Sequence, residues 1–166
     1  VDVNTSDKVA VLGAGSWGTA LAIQLARSGS QVRLWAHRDE HKQQLSSDRE
    51  NKRYLPGVRL PDAIGIFSDL ESCLRDVVDI LIAVPSTAFV DILQKVHEIK
   101  GTDCRLVWGT KGVSSQDGRL LSDLVADVFG DGFPAAVLSG PSFAREVAQG
   151  APTAVTIAGN DLTFMQ

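Results

Sequence analysis

Cysteine is nearly absent. The 166 residues hold only Cys73 and Cys104, far apart in the chain and in no CxxC or metal-ligand spacing. That excludes a disulfide framework and leaves nothing to build a zinc site, so two buried, reduced thiols in a cytosolic protein are expected. Long apolar runs are missing too. Stretches such as Ile80 to Pro85 have the length of a strand and fall far short of the roughly 18 residues a bilayer-spanning helix needs, so no membrane insertion is expected. The N-terminus lacks the charged-then-apolar layout of a signal peptide, and Val1 stands where Met would begin a gene product, which implies processing or trimming. A surplus of positive charge is lacking as well: 16 Lys and Arg against 20 Asp and Glu give a net charge of −4. A broad electrostatic footprint for nucleic acid or anionic lipid is thereby disfavoured, and only a local basic site stays open. Repeats, low-complexity tracts and internal linkers do not occur. With 44% hydrophobic and 22% charged residues, 15 Gly and 6 Pro, disordered, collagen-like and coiled-coil chains are excluded.

What is present is a rhythm of short β-branched runs separated by amphipathic stretches, the pattern of βαβ units around a parallel sheet. Lys8 to Leu12 reads as the first strand. Ser16 to Ser28 reads as a helix with Leu21, Leu25 and several alanines at helical spacing, ended by Gly29 in a left-handed conformation. Gln31 to Ala36 is the second strand, and Asp39 the N-cap of the next helix with Glu40 in its first turn. Asn51 to Pro61 has neither period, and its two prolines and glycine predict an irregular connection. Further strands are expected at Ile64 to Phe67, Asp79 to Val84, Cys104 to Trp108, Ala135 to Leu138 and Thr153 to Ala158. The nearly all-apolar Asp79 to Val84 predicts a central strand buried on both faces. Helices are expected at Asp69 to Leu74, Ser86 to Ile99, Arg119 to Phe129 and Pro141 to Gln149, with a loop over Gly109 to Gly118. Asn160 and Asp161 read as the start of another helix that stops at Gln166, as a truncated chain would.

The first strand runs straight into Gly13-Ala14-Gly15-Ser16-Trp17-Gly18 and then into a helix, the order a dinucleotide's diphosphate requires. Gly13 permits the tight turn, Gly15 lets an anion approach the backbone and Gly18 lets helix and strand pack closely. The free N–H groups at the helix start favour negative charge. Trp17 is exposed by its position in the turn, where it either covers the nucleotide or packs on the neighbouring loop. After the second strand, an acidic residue would bond the ribose 2′-hydroxyl of NAD, whereas arginine accommodates the 2′-phosphate of NADP. His37 and Arg38 occupy that position, and Asp39 is better suited to capping the helix. NADP is therefore favoured, with NAD left open.

Three more stretches fall at strand ends, the edge where open α/β sheets bind ligands: Val84-Pro85-Ser86, Thr110-Lys111-Gly112 and Ser139-Gly140-Pro141-Ser142-Phe143-Ala144. Lys111 either reaches a substrate oxygen or phosphate beside the cofactor or is a solvated loop lysine. Gly140 and Ser142 form either a second cradle for an anion or hydroxyl or a plain helix-start turn.

Taken together, Gly13-Ala-Gly-Ser-Trp-Gly-Thr-Ala-Leu-Ala22, Asn51-Lys-Arg-Tyr-Leu-Pro-Gly57, Ala83-Val-Pro-Ser86, Thr110-Lys-Gly112 and Leu138-Ser-Gly-Pro-Ser-Phe-Ala144 with Glu146 resemble bacterial NAD(P)-dependent glycerol-3-phosphate dehydrogenase, in order across essentially the whole chain. The resemblance implies a Rossmann-type, doubly wound, mostly parallel α/β sheet with helices on both faces over residues 1–166, followed in the family by a helical substrate domain. It implies reversible hydride transfer between nicotinamide C4 and the C2 carbon of dihydroxyacetone phosphate, giving sn-glycerol 3-phosphate for phospholipid synthesis in a cytoplasmic enzyme, a homodimer at full length. By the same resemblance Ser16 and Trp17 contact NAD or NADP within the loop of Gly13, Gly15 and Gly18. His37 and Arg38 meet its adenosine side, Pro85 also touches it, and Ala144 meets the nicotinamide half. Lys111 touches cofactor and substrate, and Gly140 and Ser142 touch substrate. The general acid and base is a lysine of the helical domain, expected beyond Gln166, so no catalytic residue is expected in this chain and turnover without the second domain should be poor. Another hydroxyacid or 6-phosphogluconate-type dehydrogenase, and a nucleotide-binding module without chemistry, are the rival readings.

Overall fold

The structure, a computed structural model, describes residues 8–140 and 142–164. In chain order its elements are β1 (Lys8–Leu12), α1 (Ser16–Arg27), β2 (Gln31–Trp35), α2 (Asp39–Asp48), β3 (Glu50–Asn51), β4 (Leu55–Arg59), β5 (Ile64–Phe67), α3 (Leu70–Leu74), β6 (Asp79–Ile82), α4 (Ser86–Lys100), β7 (Arg105–Trp108), α5 (Leu121–Phe129), β8 (Ala135–Ser139), α6 (Ala144–Gln149) and β9 (Thr156–Gly159). Seven strands form one sheet in the order β5-β2-β1-β6-β7-β8-β9. Neighbours up to β8 are parallel, and β9 pairs antiparallel with β8 at the edge.

The sheet is buried on both faces because alternate residues of the inner strands are apolar in both directions. Ala10, Leu12, Ile80, Ile82, Leu106 and Trp108 meet Phe89, Leu93 and Val96 of α4 and Leu124 and Val125 of α5. Val11, Val32, Leu34 and Leu81 meet Ala20 and Ile23 of α1, Leu45 of α2 and Val147 of α6. This is the doubly wound arrangement, and it puts the ends of β1, β6, β7 and β8 along one edge. Cys73 and Cys104 are both buried and free. Burial pushes their thiols up to about 12 and about 11, which suits inert core positions. No helix among the described residues is long and apolar enough to cross a membrane.

Most strand and helix positions match the sequence pattern, and the departures have physical causes. Asn51 to Pro61 is not an irregular connection: β3 and β4 pair antiparallel, Glu50 with Arg59 and Asn51 with Leu55, with a register shift between. The shift erases any period in the sequence, and the ribbon is held instead by Leu55, Val58 and Leu60, all buried in the α1 face of the core. Asp39 is not the N-cap of α2. Arg38 is, with extended backbone, while Asp39 and Glu40 add favourable charge to the first turn. Asp69, by contrast, does cap α3, accepting from the Ser72 N–H at 2.7 Å. The expected helix start at Pro141 lies outside the described residues, and α6 itself begins at Ala144. The Asn160 side chain accepts from Ala135 N and donates to the Phe133 carbonyl at the start of β8, while Asp161 accepts from the Thr163 and Phe164 N–H groups and opens a turn at 162–164; a helix continuing to Gln166 would lie partly outside the described residues.

Phe89 is fully buried and meets Trp108 edge-on, ring centroids 6.3 Å apart. Phe89→Ala is expected to cost about 3–5 kcal/mol, read as a lower urea midpoint at unchanged slope; a loss below about 1 kcal/mol would contradict this packing.

Candidate functional site

Where β1 gives way to α1 the backbone is packed to its limit at two glycines and left open at a third. Gly13 has φ +117, and a Cβ there would stand 2.7 Å from the Ala83 carbonyl oxygen. A Cβ on Gly18 would lie 1.9 Å from the Gly13 carbonyl oxygen and 3.2 Å from the Ala83 Cβ. Both glycines are demanded by the meeting of α1 with β1 and the end of β6. Gly15 differs: its backbone is extended, and a Cβ there would meet nothing within 4 Å. Gly15 is the N-cap of α1, and no side chain caps the helix, so the leading N–H groups of α1 are left without side-chain acceptors. Free amides, the positive end of a helix and an open approach are what a diphosphate requires.

This turn floors a cavity of about 640 Å³ at the edge of the sheet. Its wall brings together Gly13, Gly15, Ser16, Trp17, His37, Arg38, Pro85 and Lys111. Gly18 is buried behind them. Lys111 also borders an adjoining recess of about 390 Å³, whose wall includes Gly112, Leu138 and Ser139. The lysine therefore stands between two compartments.

Trp17 is half-buried rather than exposed, and it packs on the neighbouring loop. A Cβ on Gly109 would lie 2.7 Å from its Nε1, and the Lys111 ammonium stands 6.0 Å from its ring centroid. Its indole N–H is buried without an acceptor among the described residues. Thr110 is buried and donates from its hydroxyl to the Val84 carbonyl at 2.8 Å, tying the loop after β7 to the loop after β6.

Gly140, Ser142 and Ala144 are absent from the wall of the large cavity. A Cβ on Gly140 would meet the Ala154 carbonyl oxygen at 2.8 Å, so packing requires glycine there. The Ser142 hydroxyl is buried and unpartnered among the described residues. Ala144 opens α6, and α6 hangs from the far end of α1: Gln24 donates to the Val147 carbonyl and Arg27 to the Ala148 carbonyl, the latter at 2.6 Å. The glycine turn and α6 are thus held at the two ends of one helix.

Residues that pattern reading did not assign complete the cavity. Arg53 and Tyr54 reach it from the turn of the β3–β4 ribbon, and Asp91 and Lys95 from α4. The guanidinium of Arg53 lies 5.1 Å from the Tyr54 ring centroid. Asn51, buried in the ribbon, binds the glycine turn itself. The only signal for Asn51, Arg53 and Tyr54 was the motif from Asn51 to Gly57, and an aperiodic stretch says nothing about which distant loop it touches; Asp91 and Lys95 of α4 gave none. His41 reports the local field. Burial holds it below its ordinary value, a hydrogen bond to Asn51 opposes this, and the charges of Arg53, Arg38 and His37 add to the lowering. The end of the cavity around His41 is therefore locally cationic in an acidic protein.

A model of the family described as NAD-dependent glycerol-3-phosphate dehydrogenase N-terminus matches residues 8–165. Glycerol-3-phosphate dehydrogenase (NAD(P)+) of Shewanella amazonensis is 47% identical over 161 residues, 97% of this chain and 47% of that protein. The enzyme of the same description from Erwinia tasmaniensis is 46% identical over 158 residues, 95% of this chain and 47% of its own. A crystal structure of glycerol-3-phosphate dehydrogenase from Coxiella burnetii superposes with a TM-score of 0.91 at 44% identity, covering 96% of this chain and 49% of that one. The chain thus spans about half the length of the relatives it matches, 47% in both curated cases. Its glycine turn, its sheet order and these matches agree: the chain belongs to the family of NAD-dependent glycerol-3-phosphate dehydrogenase N-terminal domains.

Proposed function

We propose that residues 1–166 form the cofactor-binding half of a cytoplasmic enzyme, a homodimer at full length, that interconverts dihydroxyacetone phosphate and sn-glycerol 3-phosphate with NADPH or NADH and so supplies glycerophospholipid synthesis. The observation that carries this reading is the contrast among the three glycines: no room for a Cβ at Gly13 and Gly18, open space at Gly15. A turn needed only for packing has no reason to leave its middle glycine bare.

In this reading the N–H groups at Gly15, Ser16 and Trp17 hold the diphosphate. His37 and Arg38 meet the adenosine ribose or its 2′-phosphate, and Pro85 packs against the cofactor. When bound, the nicotinamide nucleotide supplies the hydride. Lys111, placed between the large cavity and the recess beside β8, holds a cation where negative charge develops on the substrate's carbonyl oxygen. Gly140 and Ser142 hold the substrate, a role that would use the Ser142 hydroxyl, which is buried with no partner among the described residues. Ala144, at the start of α6, meets the nicotinamide half. Reduction also requires a proton on the carbonyl oxygen, and the donor is a lysine of the helical domain in the half of the relatives that this chain does not span.

The decisive assay separates binding from turnover. The 166-residue chain is expected to bind NADPH and NADH, seen as a change in tryptophan emission, yet to reduce dihydroxyacetone phosphate negligibly, whereas the full-length enzyme reduces it. Absence of nucleotide binding contradicts the reading, and efficient turnover by the chain alone contradicts the assignment of the proton donor. Gly15→Val is expected to abolish nucleotide binding while shifting Tm by only a few degrees, because the extended backbone accepts any residue and the side chain enters open space. A large drop in Tm would show that Gly15 serves packing. Arg38→Asp is expected to raise the Kd for NADPH by about an order of magnitude and to change that for NADH much less, since it sets an anion against the 2′-phosphate. Equal losses would show that Arg38 does not read that group.

A further inference from the structure

Asn51 is 1% exposed, a polar side chain set among apolar ones at the end of β3. A buried amide is tolerated only when its donors and acceptor are used. Here its nitrogen donates to the Ala14 carbonyl oxygen at 2.9 Å and to the Thr19 hydroxyl at 2.8 Å. Its oxygen accepts from the Tyr54 N–H at 3.2 Å and stands 3.3 Å from His41 Nε2. The Ala14 carbonyl can only accept, so the amide nitrogen must face the glycine turn and the oxygen the ribbon, with His41 donating from Nε2. One side chain thereby joins the glycine turn, the first turn of α1, the ribbon turn and α2.

Ala14 is the residue between the two loop glycines, and its carbonyl shares a planar trans peptide with the Gly15 N–H. In such a peptide the carbonyl and the N–H point in opposite directions. Drawing the Ala14 carbonyl inward onto Asn51 therefore turns the Gly15 N–H away from the ribbon, on the side of the turn where Gly15 and Ser16 line the cavity. We propose that Asn51 is a positioning residue for cofactor binding: it locks this peptide so that the Gly15 N–H faces the diphosphate, and it fastens the loop to the ribbon that carries Arg53 and Tyr54 over the same cavity. The proposal rests on the nucleotide reading of the cavity and assigns to Asn51 no contact with ligand.

The test compares Asn51→Ala and Asn51→Asp with the unaltered chain and with Phe129→Leu, a core substitution on the opposite face of the sheet. Asn51→Asp keeps the shape but sets an acceptor against the Ala14 carbonyl. Calorimetric Kd values for NADH and for ADP-ribose, which shares the diphosphate but lacks nicotinamide, are taken well below each Tm. Both Asn51 variants are expected to weaken the two ligands by the same factor, roughly tenfold or more, the scale of one hydrogen bond to a charged group. The Gly15 amide resonance is expected to move in the ligand-free protein as well. Phe129→Leu is expected to lower Tm and leave both Kd values within about twofold, since no transfer of strain to the loop is involved. Should Asn51→Ala not fold, Asn51→Ser carries the same comparison. If the Asn51 variants lower Tm like Phe129→Leu and leave binding unchanged, the residue is structural and the proposal fails while the nucleotide reading stands. If the unaltered chain binds neither ligand, the nucleotide reading fails and this proposal with it.

Discussion

The carbonyl oxygen of Gly13 and the α-carbon of Gly18 are so close that no side-chain atom fits between them; a Cβ on Gly18 would sit 1.9 Å away. That contact lets α1 start directly at the end of β1 and lie flat on the sheet, with Ala20 and Ile23 buried against Val11 and Leu34. With the helix fixed there, its N-terminal amides open at the sheet edge and its other end carries α6 through Gln24 and Arg27. The approach of two backbones thus sets the positions of the glycine turn and of α6. Bulk stability comes from elsewhere, chiefly from the apolar layers on the two faces of the sheet, but those layers alone would not place an open row of N–H groups at the mouth of a cavity.

Charge acts locally. The chain carries a net charge of −4, yet His37, Arg38 and Arg53 gather around His41 at one end of the cavity and Lys111 stands at the other. A long anionic ligand finds cations near both ends and a helix N-terminus in the middle, while the acidic remainder of the surface discourages nonspecific anion binding. Asp91 of α4 lines the same cavity beside Lys95, so the field is not uniformly positive.

Much of this was legible in the sequence because it is encoded locally. β1 matches its short, nearly all-apolar run to the residue, the glycine turn follows from the order strand, glycine, helix, and β6 betrays burial on both faces by its consecutive Ile80, Leu81 and Ile82. What escaped detection depends on partners far along the chain. The β3–β4 ribbon has a register shift that hides its period, and its stability comes from Leu55, Val58 and Leu60 reaching the core beneath α1. The place of Asp39 within α2 rather than before it turns on the backbone of Arg38, which no side-chain pattern reports. Trp17 was open between two roles because its neighbour across the turn, Gly109, lies more than ninety residues on, and only the fold shows that the glycine is there to admit the indole. Asn51 was visible within a motif, but its bond to Ala14 was not.

The central claim is that bare amides at the start of α1 hold a diphosphate. The most direct measurement follows the backbone amide resonances of the 166-residue chain as ADP-ribose is added. The account expects the Gly15, Ser16 and Trp17 protons to shift downfield most strongly and to saturate together, as they gain a charged acceptor. Saturable shifts confined to other parts of the chain, with these three unmoved, would contradict it.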